Sequence, residues 1–287
     1  MIDRPILFVG PTRSGKSMLG NIVGQLPEFH LAFEPQGRWN YRFSNKLSDV
    51  RTQEEASEEV CRSIRAQIER SIDSTDATRY IDDLPHHALR IGFCHAVLPE
   101  ARFVMVSRDG RSAIRDMKWG WEYKDTLGKV MSRRFGQGNY RSINFKKLPM
   151  QGARWLNNAV RRLIGRRRST WGPTVPGQFA FARTHSLIET IAFQWASYAE
   201  HALDGLQEIP SEQVLYVRYE SVLKCPKREA ERLAEFCEIE NAQNLIDLAQ
   251  QAIESGREPY SKPLSQAELE RIEPIISPIQ RRLGYND

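Results

Sequence analysis

Ile6-Leu7-Phe8-Val9-Gly10-Pro11-Thr12-Arg13-Ser14-Gly15-Lys16-Ser17 joins an apolar run to a glycine-containing loop. Four consecutive apolar residues read as a short strand buried on both faces. A glycine-containing loop follows, and Ser17 to Gln25 then reads as a helix. A helix start leaves backbone N–H groups without intrahelical partners and carries the positive end of the helix dipole. A strand that breaks into a loop and then a helix therefore offers several donors to one phosphate. The spacing fits G-x-x-x-x-G-K-[ST], in which Lys16 reaches a bridging oxygen and Ser17 a metal. The bland alternative is a strand, turn and helix with two incidental glycines.

His30–Phe33 predicts a second strand, stopped at Glu34-Pro35 because proline cannot donate to a ladder. Ser57 to Ser71 has the apolar spacing of a helix. Arg79-Tyr80-Ile81 predicts a third strand, followed by a helix around His87–Leu98. The fourth and clearest strand is Arg102-Phe103-Val104-Met105-Val106, and Gln213 to Arg218 gives the fifth, after a helix from about Leu187 to Leu206. Alternating strands and helices predict an α/β fold, a parallel sheet of about five strands flanked by helices. Such sheets bind ligands beyond the carboxyl ends of their strands, where Gly10, Glu34, Asp82, Arg108 and Tyr219 fall.

The 287 residues, 40% of them hydrophobic, are read as one domain over 1–287. Met1-Ile2-Asp3-Arg4-Pro5 lacks a basic leader followed by a long apolar run, and no apolar run approaches a membrane span, so a soluble cytoplasmic protein is expected. Cys61, Cys94, Cys225 and Cys237 are widely spaced, which suggests neither a zinc site nor a disulfide framework. The net charge of +5 hides an asymmetry: from Thr126 to Ile188 there is no Asp or Glu, against a run of basic residues that includes Arg161, Arg162, Arg166, Arg167 and Arg168. Residues 126–186 therefore read as a basic insertion, a mobile flap that seeks an anionic partner. Nucleic acid, anionic lipid and an acidic glycan all fit that charge.

Two families share such a loop. In P-loop kinases and NTPases, which use ATP and magnesium, another strand should end in an acid that holds the metal. The best candidate strand ends instead in Val106-Ser107-Arg108, leaving Asp82 and Asp83 as substitutes. The second family is the sulfotransferases that use 3′-phosphoadenosine-5′-phosphosulfate (PAPS). Pro11-Thr12-Arg13-Ser14-Gly15-Lys16-Ser17 resembles their P-x-R-S-G-T-[TS] loop and departs at Lys16 only. Val104 to Arg111 resembles their strand running into R-D-P-R, with Gly110 for proline. Gln25 to Pro35 looks like the carbohydrate branch. Val217-Arg218-Tyr219-Glu220-Ser221-Val222-Leu223 is similar to a later family motif, and Pro263-Leu264-Ser265 to the family's C-terminal region.

The resemblance implies that Pro11, Thr12, Arg13, Ser14, Gly15, Lys16 and Ser17 hold the 5′-phosphosulfate and that Arg108 binds the 3′-phosphate. It also makes Lys262 a donor-phosphate candidate. Arg13 and Lys16 would assist sulfuryl transfer without a metal, and Glu34 would be the base. An anionic glycan or glycolipid, rather than nucleic acid, is the implied acceptor, with peripheral contact to anionic membrane as a second role for the basic insertion. Where the family has serine eight residues after the arginine, this chain has Asp116, with Arg115 or Ser112 to compensate. Where many members have K-x-P, it has Asp83-Leu84-Pro85. His86 and His87 are alternative bases. A nucleotide-binding module without catalysis remains the third reading.

Overall fold

The computed structural model describes residues 2–32, 35–43, 48–123, 172–255 and 262–285. In chain order the elements are β1 (Asp3–Val9), α1 (Lys16–Val23), β2 (Phe29–Leu31), α2 (Gln36–Trp39), α3 (Glu58–Ile72) and β3 (Arg79–Asp82). A 3₁₀ turn over Pro85–Leu89 leads to α4 (Ile91–Val97), β4 (Arg102–Ser107) and α5 (Gly110–Tyr123). Then come α6 (Gln178–Thr184), α7 (Leu187–Gln207), β5 (Val214–Arg218), α8 (Tyr219–Lys224), α9 (Pro226–Cys237), α10 (Ala242–Glu254) and α11 (Gln266–Arg282).

The five strands form one sheet in the order β2-β3-β1-β4-β5, and every pairing is parallel. From β1 the chain builds β2 and β3 on one side, then crosses to the other side for β4 and β5. The change of direction falls at β1, whose carboxyl end carries the glycine loop, and a crevice for a ligand belongs at such a point.

Period-two alternation distributes the strand side chains between two cores. Ile6 and Phe8 of β1, with Val104 and Val106 of β4, pack under α1, α9 and α10. Leu7 and Val9, with Phe103 and Met105, pack under α3, α4 and α7. Each such fully buried side chain contributes about 1.5–3 kcal/mol, which fixes β1 and the loop it feeds. A third cluster joins α5, α7 and α11 through Ile114, Trp195 and Ile276. In α3 the residues Val60, Ile64, Ile68 and Ile72 are all buried at four-residue spacing, and the Ser57 hydroxyl accepts from the Val60 N–H at 3.4 Å to cap the helix.

The expected helix around His87–Leu98 is divided. Arg90 adopts φ −153°, ψ 36°, which separates the 3₁₀ turn from α4. The insertion is also less independent than expected at its carboxyl end. Val175 and Gln178 are buried, and the Pro173 carbonyl accepts from Gln194 Nε2 at 2.9 Å and from the Tyr198 hydroxyl at 2.5 Å, both on α7. Residues 172–184 are thus packed onto the domain rather than part of a flap. The basic residues from Lys129 to Arg168 lie outside the described residues. No helix among the described residues is long and apolar enough to cross a membrane.

Candidate functional site

The loop between β1 and α1 is shaped by its backbone. Gly10 has φ 131°, and a Cβ there would meet the Val106 carbonyl oxygen of β4 at 2.3 Å. Gly15 has φ 98°, and a Cβ there would meet the Tyr219 ring at 2.4 Å. Both positions therefore exclude any side chain. Arg13 between them also has a positive φ of 67°. The helix that follows has no side-chain cap and no acid in its first turn, so its leading N–H groups stay available to an anion. The Ser14 hydroxyl is fully buried without a hydrogen-bond partner. A phosphate oxygen would satisfy it, as buried polar groups require.

Lys16 is buried, and its Nζ donates to the Pro11 carbonyl at 3.4 Å. Burial pulls its pKa down to about 8, with Asp83 opposing that shift and Arg13 adding to it. Asp83, which takes the place of the family's K-x-P lysine, thus acts as a counter-charge to Lys16. Its side chain lies against Gly20 of α1.

Arg108 stands at the end of β4. Its Nη1 donates to the Arg13 carbonyl at 3.2 Å and to Asp116 Oδ2 at 2.8 Å, and its guanidinium lies 4.6 Å from the Tyr219 ring centroid. Arg115 Nε donates to the other Asp116 oxygen at 3.2 Å. The alternative pairing of Arg108 with Asp82 or Asp83 is replaced by Asp116. The turn that aims Arg108 is clamped from the C-terminal side: Glu220 accepts from the Asp109 N–H at 2.9 Å and from the Tyr285 hydroxyl at 2.7 Å, and Gln280 Oε1 accepts from the Gly110 N–H at 2.9 Å. Gly110 in place of the family's proline has a local reason, since a Cβ there would lie 2.8 Å from the Trp195 indole.

Asp82 cannot serve as a metal-holding acid in its observed setting. It is fully buried; Trp39 Nε1 at 2.6 Å and the Tyr80 hydroxyl at 2.8 Å donate to Oδ2, and the Leu84 N–H donates to Oδ1 at 2.9 Å. His87 Nε2 lies 3.1 Å from Oδ2, while its Nδ1 is 3.2 Å from Cys94 Sγ. Burial opposes ionisation of both groups, but Cys94 and Asp82 together hold the His87 pKa up, to about 10, and His87 with the Leu84 N–H and the Tyr80 hydroxyl holds the Asp82 carboxyl below its usual range. His86 is buried too, with Nε2 2.8 Å from Gln36 Nε2, and burial with Arg90 nearby pulls its pKa down to about 3. Neither histidine is poised as a base at neutral pH.

The loop residues Pro11 to Ser17, Arg108, Arg115 and Asp116 thus come together at the ends of β1 and β4. Lys262 is exposed in the segment before α11. Glu34 lies outside the described residues, between Ala32, whose N–H bonds to the Ile81 carbonyl at 2.9 Å, and Pro35, which precedes α2. Tyr219, which supports both Gly15 and Arg108, was marked in the sequence by its place at a strand end and within a motif, but without a role of its own. Asp82 and His87 were singled out separately, as a metal-holding acid and a base, but their pairing with each other and with Cys94 gave no sequence signal, because the spacing belongs to no catalytic or metal pattern.

Residues 3–266 match the model of the sulfotransferase domain family. No curated protein sequence matches the chain. Among solved structures, a sulfotransferase from Mycobacterium avium aligns with TM-score 0.55 at 11% identity, covering 98% of this chain and 77% of that one. A sulfotransferase domain from the curacin biosynthetic pathway aligns with TM-score 0.53 at 12% identity over 99% of both chains. A sulfotransferase from Alicyclobacillus acidocaldarius gives TM-score 0.51 at 11% identity over 100% of this chain and 98% of that one. At these identities the likeness is one of fold.

Proposed function

The chain belongs to the sulfotransferase family, and on that premise we propose that it moves the sulfuryl group of PAPS to a hydroxyl of an acidic glycan or glycolipid. The observation that carries the donor half is the meeting of two cationic elements at one end of the sheet: the buried Lys16 with the uncapped start of α1, and Arg108 held beside the Arg13 carbonyl. The orphaned Ser14 hydroxyl fits the same ligand.

Sulfuryl transfer resembles phosphoryl transfer in its loose in-line transition state, so catalysis rests on positioning and on cations placed where charge develops. Lys16, Arg13 and the loop N–H groups would hold the 5′-phosphosulfate. The acceptor oxygen forms a bond to sulfur as the bond from sulfur to the bridging phosphate oxygen breaks. Adenosine 3′,5′-bisphosphate leaves, and the acceptor proton passes to Glu34, the base that the sequence supports at the end of the second strand. The glycan or glycolipid acceptor rests on the uncompensated charge of residues 126–168, which suits an anionic partner. The same charge supports a peripheral contact with anionic membrane.

Calorimetry with adenosine 3′,5′-bisphosphate against ATP plus magnesium tests the donor. Binding of the bisphosphate with no ATP signal supports the proposal. Magnesium-dependent ATP binding with no bisphosphate signal overturns it in favour of a kinase or NTPase.

A further inference from the structure

The anion that Arg108 contacts in this protein is one of its own. Asp116 stands on α5, eight residues after Arg108, and its two carboxylate oxygens are divided between two arginines: Oδ2 takes Arg108 Nη1 at 2.8 Å, and Oδ1 takes Arg115 Nε at 3.2 Å. Arg108 and Asp116 are only 15% and 16% exposed, so water screens the pair poorly. The Tyr219 ring lies under the guanidinium, and the Arg13 carbonyl accepts from the same Nη1. Arg108 is thereby fixed with Asp116 at one of its donors.

A carboxylate held between two arginines reproduces the chemistry of a bound phosphate. We propose that Asp116 is an internal occupant of the anion site at Arg108, and that it reduces the part of nucleotide affinity contributed by a 3′-phosphate. The inference rests on the donor reading above and concerns which nucleotides that site distinguishes. A 3′-phosphate reaching Arg108 meets a carboxylate at the same nitrogen. The two anions repel at close range, and the carboxylate gives up its contact with Arg108. A nucleotide without the 3′-phosphate meets no such competitor and loses nothing by lacking the group. The consequence is a site governed by the 5′ loop, with weak preference between adenosine 5′-phosphate and adenosine 3′,5′-bisphosphate.

Calorimetry of both nucleotides against the wild-type protein and Asp116→Asn tests this, with Asp116→Ser as a second variant and thermal melting as the check on folding. The wild type should favour the bisphosphate by less than about tenfold, whereas a charge-assisted phosphate contact left intact is worth more than that. Asp116→Asn should tighten the bisphosphate by about tenfold or more and change adenosine 5′-phosphate by less than about threefold, because only the repelled group gains. Adding Arg108→Gln to Asp116→Asn should erase the gain. A purely structural role for Asp116 would weaken both nucleotides alike and would overturn the inference. So would a wild-type preference of about a hundredfold for the bisphosphate, a result that leaves the donor reading standing. Failure of the wild type to bind either nucleotide overturns the donor reading and this inference together.

Discussion

The ring of Tyr219 occupies the space into which a side chain on Gly15 would project: a Cβ there would lie 2.4 Å from the ring. One aromatic residue at the end of β5 thus sets the path of the phosphate loop and also supports Arg108 from beneath. Gly15→Ala adds this overlap to a backbone at φ 98°. The expected cost is about 1–3 kcal/mol of stability, with loss of nucleotide binding. Denaturant unfolding measures the first and calorimetry the second. Unchanged binding in a stable Gly15→Ala protein would show that the loop does not hold the ligand.

The depressed pKa of Lys16 gives nucleotide binding a pH dependence. Below about pH 8 the ammonium is charged and attracts a phosphate; as pH rises through that value the free protein loses the charge, and affinity should fall. A bound anion favours the charged form, so the fall should begin near the free-protein value and level off only at the higher pKa of the complex. Lys16→Met should bind weakly with no slope near pH 8. A wild-type affinity that is flat from pH 7 to 9 would contradict the role given to Lys16.

Glu34→Gln, nearly isosteric, should lower turnover by about a hundredfold or more, as expected for loss of a general base, while bisphosphate affinity is retained. Steady-state kinetics separate the two effects. Wild-type turnover in this variant would move the base elsewhere.

The buried pair of Asp82 and His87 should matter for stability rather than turnover. Removing one partner leaves an uncompensated buried charge, so Asp82→Asn is expected to cost about 3–5 kcal/mol. The raised His87 pKa sets the pH window. The protonated histidine stabilises the fold fully below about pH 6.5, its unfolded value, and the contribution is lost as pH rises toward about 10. Between about pH 7 and 8, above the range where the unfolded His86 still takes up a proton and before Lys16 titrates, stability should therefore fall with rising pH, and His87→Phe should remove that trend. Chemical denaturation across this range measures it, and rising wild-type stability there would contradict the assignment.

Much of this arrangement was legible in the sequence because central parallel strands are continuous apolar runs. Ile6–Val9 and Arg102–Val106 announced β1 and β4, and the residues just after them are those that meet at the site. Boundaries moved by up to three residues where end residues make only part of their ladder, as in β1, which starts at Asp3, and in β2, Phe29–Leu31. The resemblance put Asp116 and Arg115 at the phosphate site of Arg108, but not their direct pairing, since the turn through Asp109 and Gly110 that brings Asp116 to Arg108 is fixed by distant Glu220, Gln280 and Trp195. The packing of residues 172–184 was hidden for the same reason, as it depends on Gln194 and Tyr198 of α7.

Sulfuryl transfer to a hydroxyl is tested by incubating the purified protein with PAPS and a panel of acidic polysaccharides and glycolipids. Released adenosine 3′,5′-bisphosphate and sulfonated acceptor are then quantified together by mass spectrometry. The two should appear in equal amounts with at least one acidic acceptor, and both should vanish in Lys16→Met. PAPS that binds but is recovered intact with every acceptor would contradict it and identify a nucleotide-binding module without catalysis.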